Sequence, residues 1–180
     1  MKAYVFLAEG FEEIEAITPI DILRRADIEV TTVSIMSHNE VCGAHGIKVM
    51  ADVLFDDADY SDNELLLLPG GMPGTKNLDA HAGLKKLLQK QAEEGKTLAA
   101  ICAAPSILGK MGLLDGKEAI CYPGYETQLL GATLSTAKVV KSGNIITAMG
   151  AGVAVPFALT IVEVMKGKDL ADKIAKAICS

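Results

Sequence analysis

The 180-residue chain has no tryptophan and only four phenylalanines and four tyrosines, so any core it builds must rest on aliphatic side chains. It also lacks a basic cluster: its 17 Lys and Arg are scattered through a chain of net charge -6, which argues against nucleic acid as a direct partner. No stretch approaches the roughly 18 uninterrupted apolar residues that would span a bilayer, and no membrane partner is expected. Cysteine is sparse, and Cys42, Cys102, Cys121 and Cys179 form no CxxC pair, so they read as free thiols rather than a disulfide framework. The opening MKAYVFLAEGFEE runs into acidic residues where a signal peptide would need a small-residue cleavage site. A cytoplasmic protein is the expectation. His38, Cys42 and His45 lie close enough in sequence to ligate a metal, yet a fourth ligand is not evident, and the segment reads as a polar loop with no metal.

What is present is an alternation. Short β-rich apolar runs at 2–8, 29–36, 65–69 and 97–102 are separated by helical patterns at 12–26 and 78–95, the latter stopping at Gly95. Further on, a helix is expected near 104–111, short strands near 119–122, 138–141 and 144–148, and helices near 153–166 and 168–177. No linker or repeat interrupts this pattern, and the length suits a single domain over 1–180. Continuously apolar strands alternating with amphipathic helices predict an α/β fold with a mainly parallel sheet covered on both faces. Ligands of such sheets bind beyond the carboxyl ends of the strands.

Two candidates stand at that edge. In TLAAICAAPS (97–106), Cys102 falls where a buried strand ends, with Pro105 suited to a first helical turn and Ala103 and Ala104 leaving room for a sharp bend. A thiol there faces unpaired amides and a helix dipole, both of which favour the thiolate. Glu15 should lie at the same edge, near the start of the first helix. Its neighbours Ile14, Ala16 and Ile17 are apolar, so desolvation should push its pKa up and let it share a proton with an adjacent thiolate. Glu12 and Glu13 read as ordinary first-turn acids. The glycine-rich PGGMPG (69–74) is not followed by the Lys-Ser or Lys-Thr of a nucleotide loop, and GAGVAV (150–155) lacks the third glycine of a dinucleotide fingerprint.

EGFEEIEAITPIDILRRA, LLLLPGGMPGTKNL and AAICAAPSIL, in that order and spacing, resemble the ThiJ/PfpI superfamily, in its DJ-one branch. The resemblance runs from about residue 2 to residue 170. It implies a flavodoxin-like three-layer α/β/α sandwich, a homodimer pairing through the first helix, and no metal or organic cofactor. It also implies a reactive cysteine on a nucleophile elbow at Cys102, an acid at Glu15, and backbone amide donors at Gly71 and Ala103. The activity implied is on small electrophiles, 2-oxoaldehydes such as methylglyoxal or their amine adducts, with a non-enzymatic oxidative-stress sensor or chaperone as the alternative. Three positions depart from the pattern or vary within it. Ala103 stands where peptidases of the superfamily carry His, so peptidase activity is not expected. Tyr122, in CYPGYE, stands where many relatives place His before proline. His45 occupies an arginine position, while Arg25 matches another arginine near the family's site; both are expected to line the site from across the dimer.

Overall fold

The computed structural model describes residues 1–180. Seven strands form one sheet in the order β10-β11-β7-β6-β1-β2-β5. In chain order the first of these are β1 (Lys2–Leu7), β2 (Glu29–Ser34), β5 (Val53–Leu54) and β6 (Asn63–Leu68), followed by β7 (Thr97–Ile101), β10 (Val139–Ser142) and β11 (Ile145–Ala148). All pairings are parallel except that of β10 with β11. The sheet is covered by α1 (Glu13–Arg25), α5 (Ala154–Lys166) and α6 (Lys168–Ala177) on one face. On the other lie α2 (Gly74–Ala80), α3 (Ala82–Glu93) and α4 (Pro105–Lys110). This is the flavodoxin-like α/β/α arrangement read from the sequence.

The strands are apolar on both sides because both sides are covered. Val5, Leu7, Leu65, Leu67, Ala99 and Ile101 pack toward α1 and α5, while Tyr4, Phe6, Leu66, Leu68, Leu98 and Ala100 pack toward α2–α4. Period-two alternation thus divides one apolar run between two cores. The chain leaves β1 for β2 in one direction and β6 for β7 in the other, so the sheet's switch point lies between β1 and β6.

Some local expectations are corrected. The helical stretch 78–95 is two helices, broken at His81, whose Nδ1 accepts the Leu84 amide at 3.0 Å and so caps α3. The strand expected at 119–122 is the two-residue β8 (Glu118–Ala119), which leaves the main sheet to pair with β9 (Thr133–Leu134). The segment read as a polar loop contains a hairpin, β3 (Glu40–Cys42) against β4 (Lys48–Met50). Its side-chain alternation is too short and too polar to stand out, and it is held by contacts distant in sequence. No helix is long and apolar enough to cross a membrane.

Leu67 is fully buried in a central strand. Leu67→Ala should lower unfolding stability by about 2–5 kcal/mol through lost burial and a residual cavity. Urea denaturation that finds less than about 1 kcal/mol would mean that this layer repacks freely.

Candidate active site

Cys102 follows β7 directly, and its backbone has φ 64°, a left-handed conformation uncommon for a residue with a Cβ. Both its peptide groups are pinned: its amide donates to the Ala148 carbonyl at 2.9 Å and its carbonyl accepts from the Tyr122 amide at 2.8 Å. Such strain persists only where the surroundings over-determine it. Beyond the bend, the Ser106 hydroxyl donates to the Ala103 carbonyl at 2.6 Å, holding the turn that opens α4. Strand, strained residue and helix together make a sharp strand–turn–helix elbow with Cys102 at its bend.

Glu15 lies in the first turn of α1 and is 1% exposed. Its Oε2 accepts the Gly70 amide at 2.9 Å, and the Ala151 amide also points at its carboxyl. A Cβ on Gly70 would lie 2.6 Å from that oxygen and 2.7 Å from the Cys102 Cβ, so only glycine lets the loop after β6 pass between the two groups. Burial is the main cause that raises the Glu15 carboxyl to about 7, the hydrogen bonds from Cys102 and Gly70 acting against it. The expected agents of that burial are not responsible. Ile14 is 52% and Ile17 42% exposed, because residues one and two positions away on a helix face elsewhere; loop, elbow and Ala151 do the burying.

Burial, then the charge of Glu15, push the Cys102 thiol up to about 12, and the amides of Ala103 and Gly71 pull it down. The expected lowering is therefore outweighed, α4 being too short for a strong dipole. Near neutrality the negative charge therefore falls on the Glu15 carboxyl, and burial together with that charge keeps the Cys102 thiol protonated, so the pair resists a second charge.

Cys102, Glu15, Gly71, Ala103 and Tyr122 line one cavity of about 300 Å³. Its remaining lining residues are Glu12, Met72, Tyr125 and Ala151; Glu12, by sequence an ordinary first-turn acid, thus faces the site. The tyrosines of CYPGYE were the available signal. His45 does not join this lining. Its Nδ1 lies 2.9 Å from Glu13 and 3.5 Å from Glu12, bringing those three together in place of the sequence neighbours His38 and Cys42. His38 instead contacts the Glu40 carbonyl, and Cys42 the Gly43 carbonyl. Arg25 sits exposed at the far end of α1, paired with Asp21 at 2.8 Å, outside the cavity of its own chain. Cys121 is buried, and its thiol is raised to about 11 chiefly by that burial.

Comparison with known proteins bears on this geometry. The model of the DJ-1/PfpI family matches residues 1–164. Protein DJ-1 homolog B of Arabidopsis thaliana is 39% identical over 176 residues, covering 97% of this chain and 40% of that protein, so the chain spans under half of that relative's length. Protein dj-1beta of Drosophila melanogaster is 35% identical, with 98% of this chain and 96% of that protein covered. Among solved structures, oxidized Toxoplasma gondii DJ-1 superposes with a TM-score of 0.95 at 36% identity, covering 99% of this chain and 97% of that one. Drosophila melanogaster DJ-1beta gives 0.93 at 35%, with the same coverage.

A testable consequence follows from Glu15 alone. Its carboxyl is held protonated in the fold up to about 7, against an ordinary value of 4.5. Between those values the unfolded chain releases the proton first, so stability falls as pH rises, by about 3 kcal/mol in all at about 1.4 kcal/mol per pKa unit. Glu15→Gln removes that slope. Urea denaturation from pH 4.5 to 8 should show the variant gaining on the wild type by about that amount, and parallel curves would mean that Glu15 is not held protonated.

Proposed function

Since the chain belongs to the DJ-1/PfpI family, we propose that Cys102 is a nucleophile toward small carbonyl electrophiles, 2-oxoaldehydes such as methylglyoxal or their amine adducts. The observation that carries this reading is geometric: Cys102, in a left-handed bend, and the buried Glu15 line one cavity together with Gly71 and Ala103. In the proposed reaction the thiol passes its proton to the Glu15 carboxylate as the sulfur adds to the aldehyde carbon, and the alkoxide that forms is held by the two amides and takes that proton from Glu15. The Glu15 carboxylate then takes the proton from that carbon, and a proton is returned to the neighbouring carbonyl carbon. The aldehyde carbon is oxidised as its neighbour is reduced, so no external oxidant enters. Water cleaves the resulting thioester and frees lactate and the thiol.

A second reading draws support from the absence of any imidazole in the lining of the cavity, where Tyr122 stands instead of a base. In it Cys102 is an oxidative-stress sensor. Two equivalents of peroxide each deliver one oxygen to the sulfur and leave as water, ending at sulfinate, whose oxygens the same amides would hold. The similarity to a DJ-1 structure described as oxidized belongs with this reading.

Assembly is part of the proposal. Ile14 and Ile17 on α1, with Ile47 and Met50 on the β3–β4 hairpin, leave large apolar side chains exposed on neighbouring elements. A cytoplasmic homodimer would cover them, and Arg25 and His45 would approach the partner's site.

Two experiments test these readings. With purified protein and methylglyoxal, lactate should form at a rate abolished by Cys102→Ala and cut at least about tenfold by Glu15→Leu. Activity surviving Cys102→Ala would overturn the enzymatic reading, and stoichiometric sulfinate without turnover would favour the sensor. Sedimentation at micromolar concentration should give about twice 18.9 kDa, and Ile17→Asp should shift it toward monomer. A wild-type monomer would remove the dimer.

A further inference from the structure

The cavity that holds Cys102 is not the largest beside it. A second cavity of about 400 Å³ adjoins it, and Tyr122 and Ala151 line both. Tyr122 is 51% exposed. Its ring lies against Gly150, where a Cβ would come within 3.3 Å, so the ring and the 150–152 backbone form one wall shared by the two spaces. The remaining lining includes Pro123, Met149 and Val153, which are apolar, and one cation, Lys138. Lys138 takes part in none of the chain's ion pairs. Its carbonyl accepts the Met149 amide at 2.9 Å, which anchors it at the rim of this space.

Conditional on Cys102 being the nucleophile, we infer that this second cavity is a subsite for the group to which the electrophilic carbon is attached, an apolar body ending in a carboxylate. Three observations lead there. A three-carbon aldehyde leaves the second space unused, whereas the two together match the roughly 300–1,000 Å³ of sites for larger organic ligands. Apolar walls with one free cation complement an amphiphilic anion. The opposite neighbour of the Cys102 cavity, reached past Met72 and Tyr125, also holds an unpaired cation, Lys76, but it is a poorer fit: its lining is mostly polar, and Asp79, paired with Lys110 at 2.9 Å, sets a carboxylate inside it.

The charge pattern adds direction. Glu12 and Glu15 line the cavity of the sulfur itself, so an anionic group directly at the electrophilic carbon is disfavoured, and the same charge placed one side chain away meets Lys138. Since the chain carries net charge -6, any preference for an anion must be local.

The test uses alkylating probes, which need no catalytic turnover: the sulfur displaces iodide and the adduct is located by peptide mapping. N-iodoacetyl-leucine and N-iodoacetyl-leucyl-leucine are compared with their C-terminal amides, and iodoacetate with iodoacetamide. Cys102 should react about two- to fivefold faster with at least one extended carboxylate than with its amide, the size expected of one exposed ion pair. Iodoacetate should be slower than iodoacetamide. Taking the carboxylate-to-amide ratio within each variant cancels changes in the thiol itself. In Lys138→Met the ratio should fall to about one, and in Lys138→Glu below one. Tyr122→Ala should erase the advantage of the leucyl probes over iodoacetamide. Cys102 labelling with no carboxylate preference, or a preference untouched by Lys138→Met, would overturn this inference alone. No labelling of Cys102 by any probe would overturn the nucleophile reading and this inference with it.

Discussion

The peptide planes of residues 10–12 and of the loop 69–74 pass so close that no side chain fits between them. A Cβ on Gly71 would lie 2.4 Å from the Glu12 nitrogen, and one on Gly74 would lie 2.7 Å from the Gly10 oxygen. The gap is closed by hydrogen bonds instead, from the Glu12 amide to the Gly70 carbonyl at 3.0 Å and from the Gly74 amide to the Gly10 carbonyl at 3.1 Å. Two loops at the switch point of the sheet are thereby joined backbone to backbone, and α1 starts at a fixed height above β6. Glu15 reaches Cys102 because of that height. The elbow needs only to be next along the sheet, which the neighbouring of β6 and β7 ensures.

The start of α1 puts two buried carboxylates, Glu13 and Glu15, two residues apart and sends them to opposite chemical ends. Burial would raise Glu13, but the His45 side chain and the His45 and Ile47 amides hold it below the usual carboxylate range. His45 is raised in turn by that hydrogen bond. Glu13 is thus a fixed anion that ties the β3–β4 hairpin to α1, and a Cβ on Gly43 would collide with its side chain. Glu15 has amide donors but no cation, and its nearest charged neighbour, Glu12, adds repulsion. It stays a proton store. The difference lies in whether a cation reaches the carboxylate, since burial is common to both.

Sequence periodicity revealed the strands and most helices because burial on both faces writes long apolar runs, and the elbow was legible because β7 ends on a cysteine before Ala-Ala-Pro. The reasons were less legible than the residues. Glu15 was found from flanking isoleucines that in fact face outward, while its true cover comes from Gly70, Gly71 and Ala151, more than fifty residues away in sequence. The left-handed φ of Cys102 has no signature either, since glycine would be the usual marker and the sulfur forbids it. The hairpin at 40–50 and the Glu12–Glu13–His45 contact depend on tertiary placement alone.

Tyr122 then decides how charge is handled. No imidazole lines the cavity; the Glu15 carboxyl, raised to about 7, takes up and releases a proton near neutrality, and burial with its charge then blocks a second negative charge on Cys102. In the proposed addition to an aldehyde that charge passes from Glu15 through the sulfur to the oxygen, where the proton held by Glu15 quenches it, and release of product restores the starting state. Oxidation to sulfinate behaves differently. It leaves a permanent anion at position 102, and the same burial that raises Glu15 now acts beside a fixed charge, which holds its carboxyl protonated to still higher pH. On the two proposed readings Glu15 would be a mobile proton carrier in one fate and a locked hydrogen-bond donor in the other, and the buried pair could serve only one of them at a time.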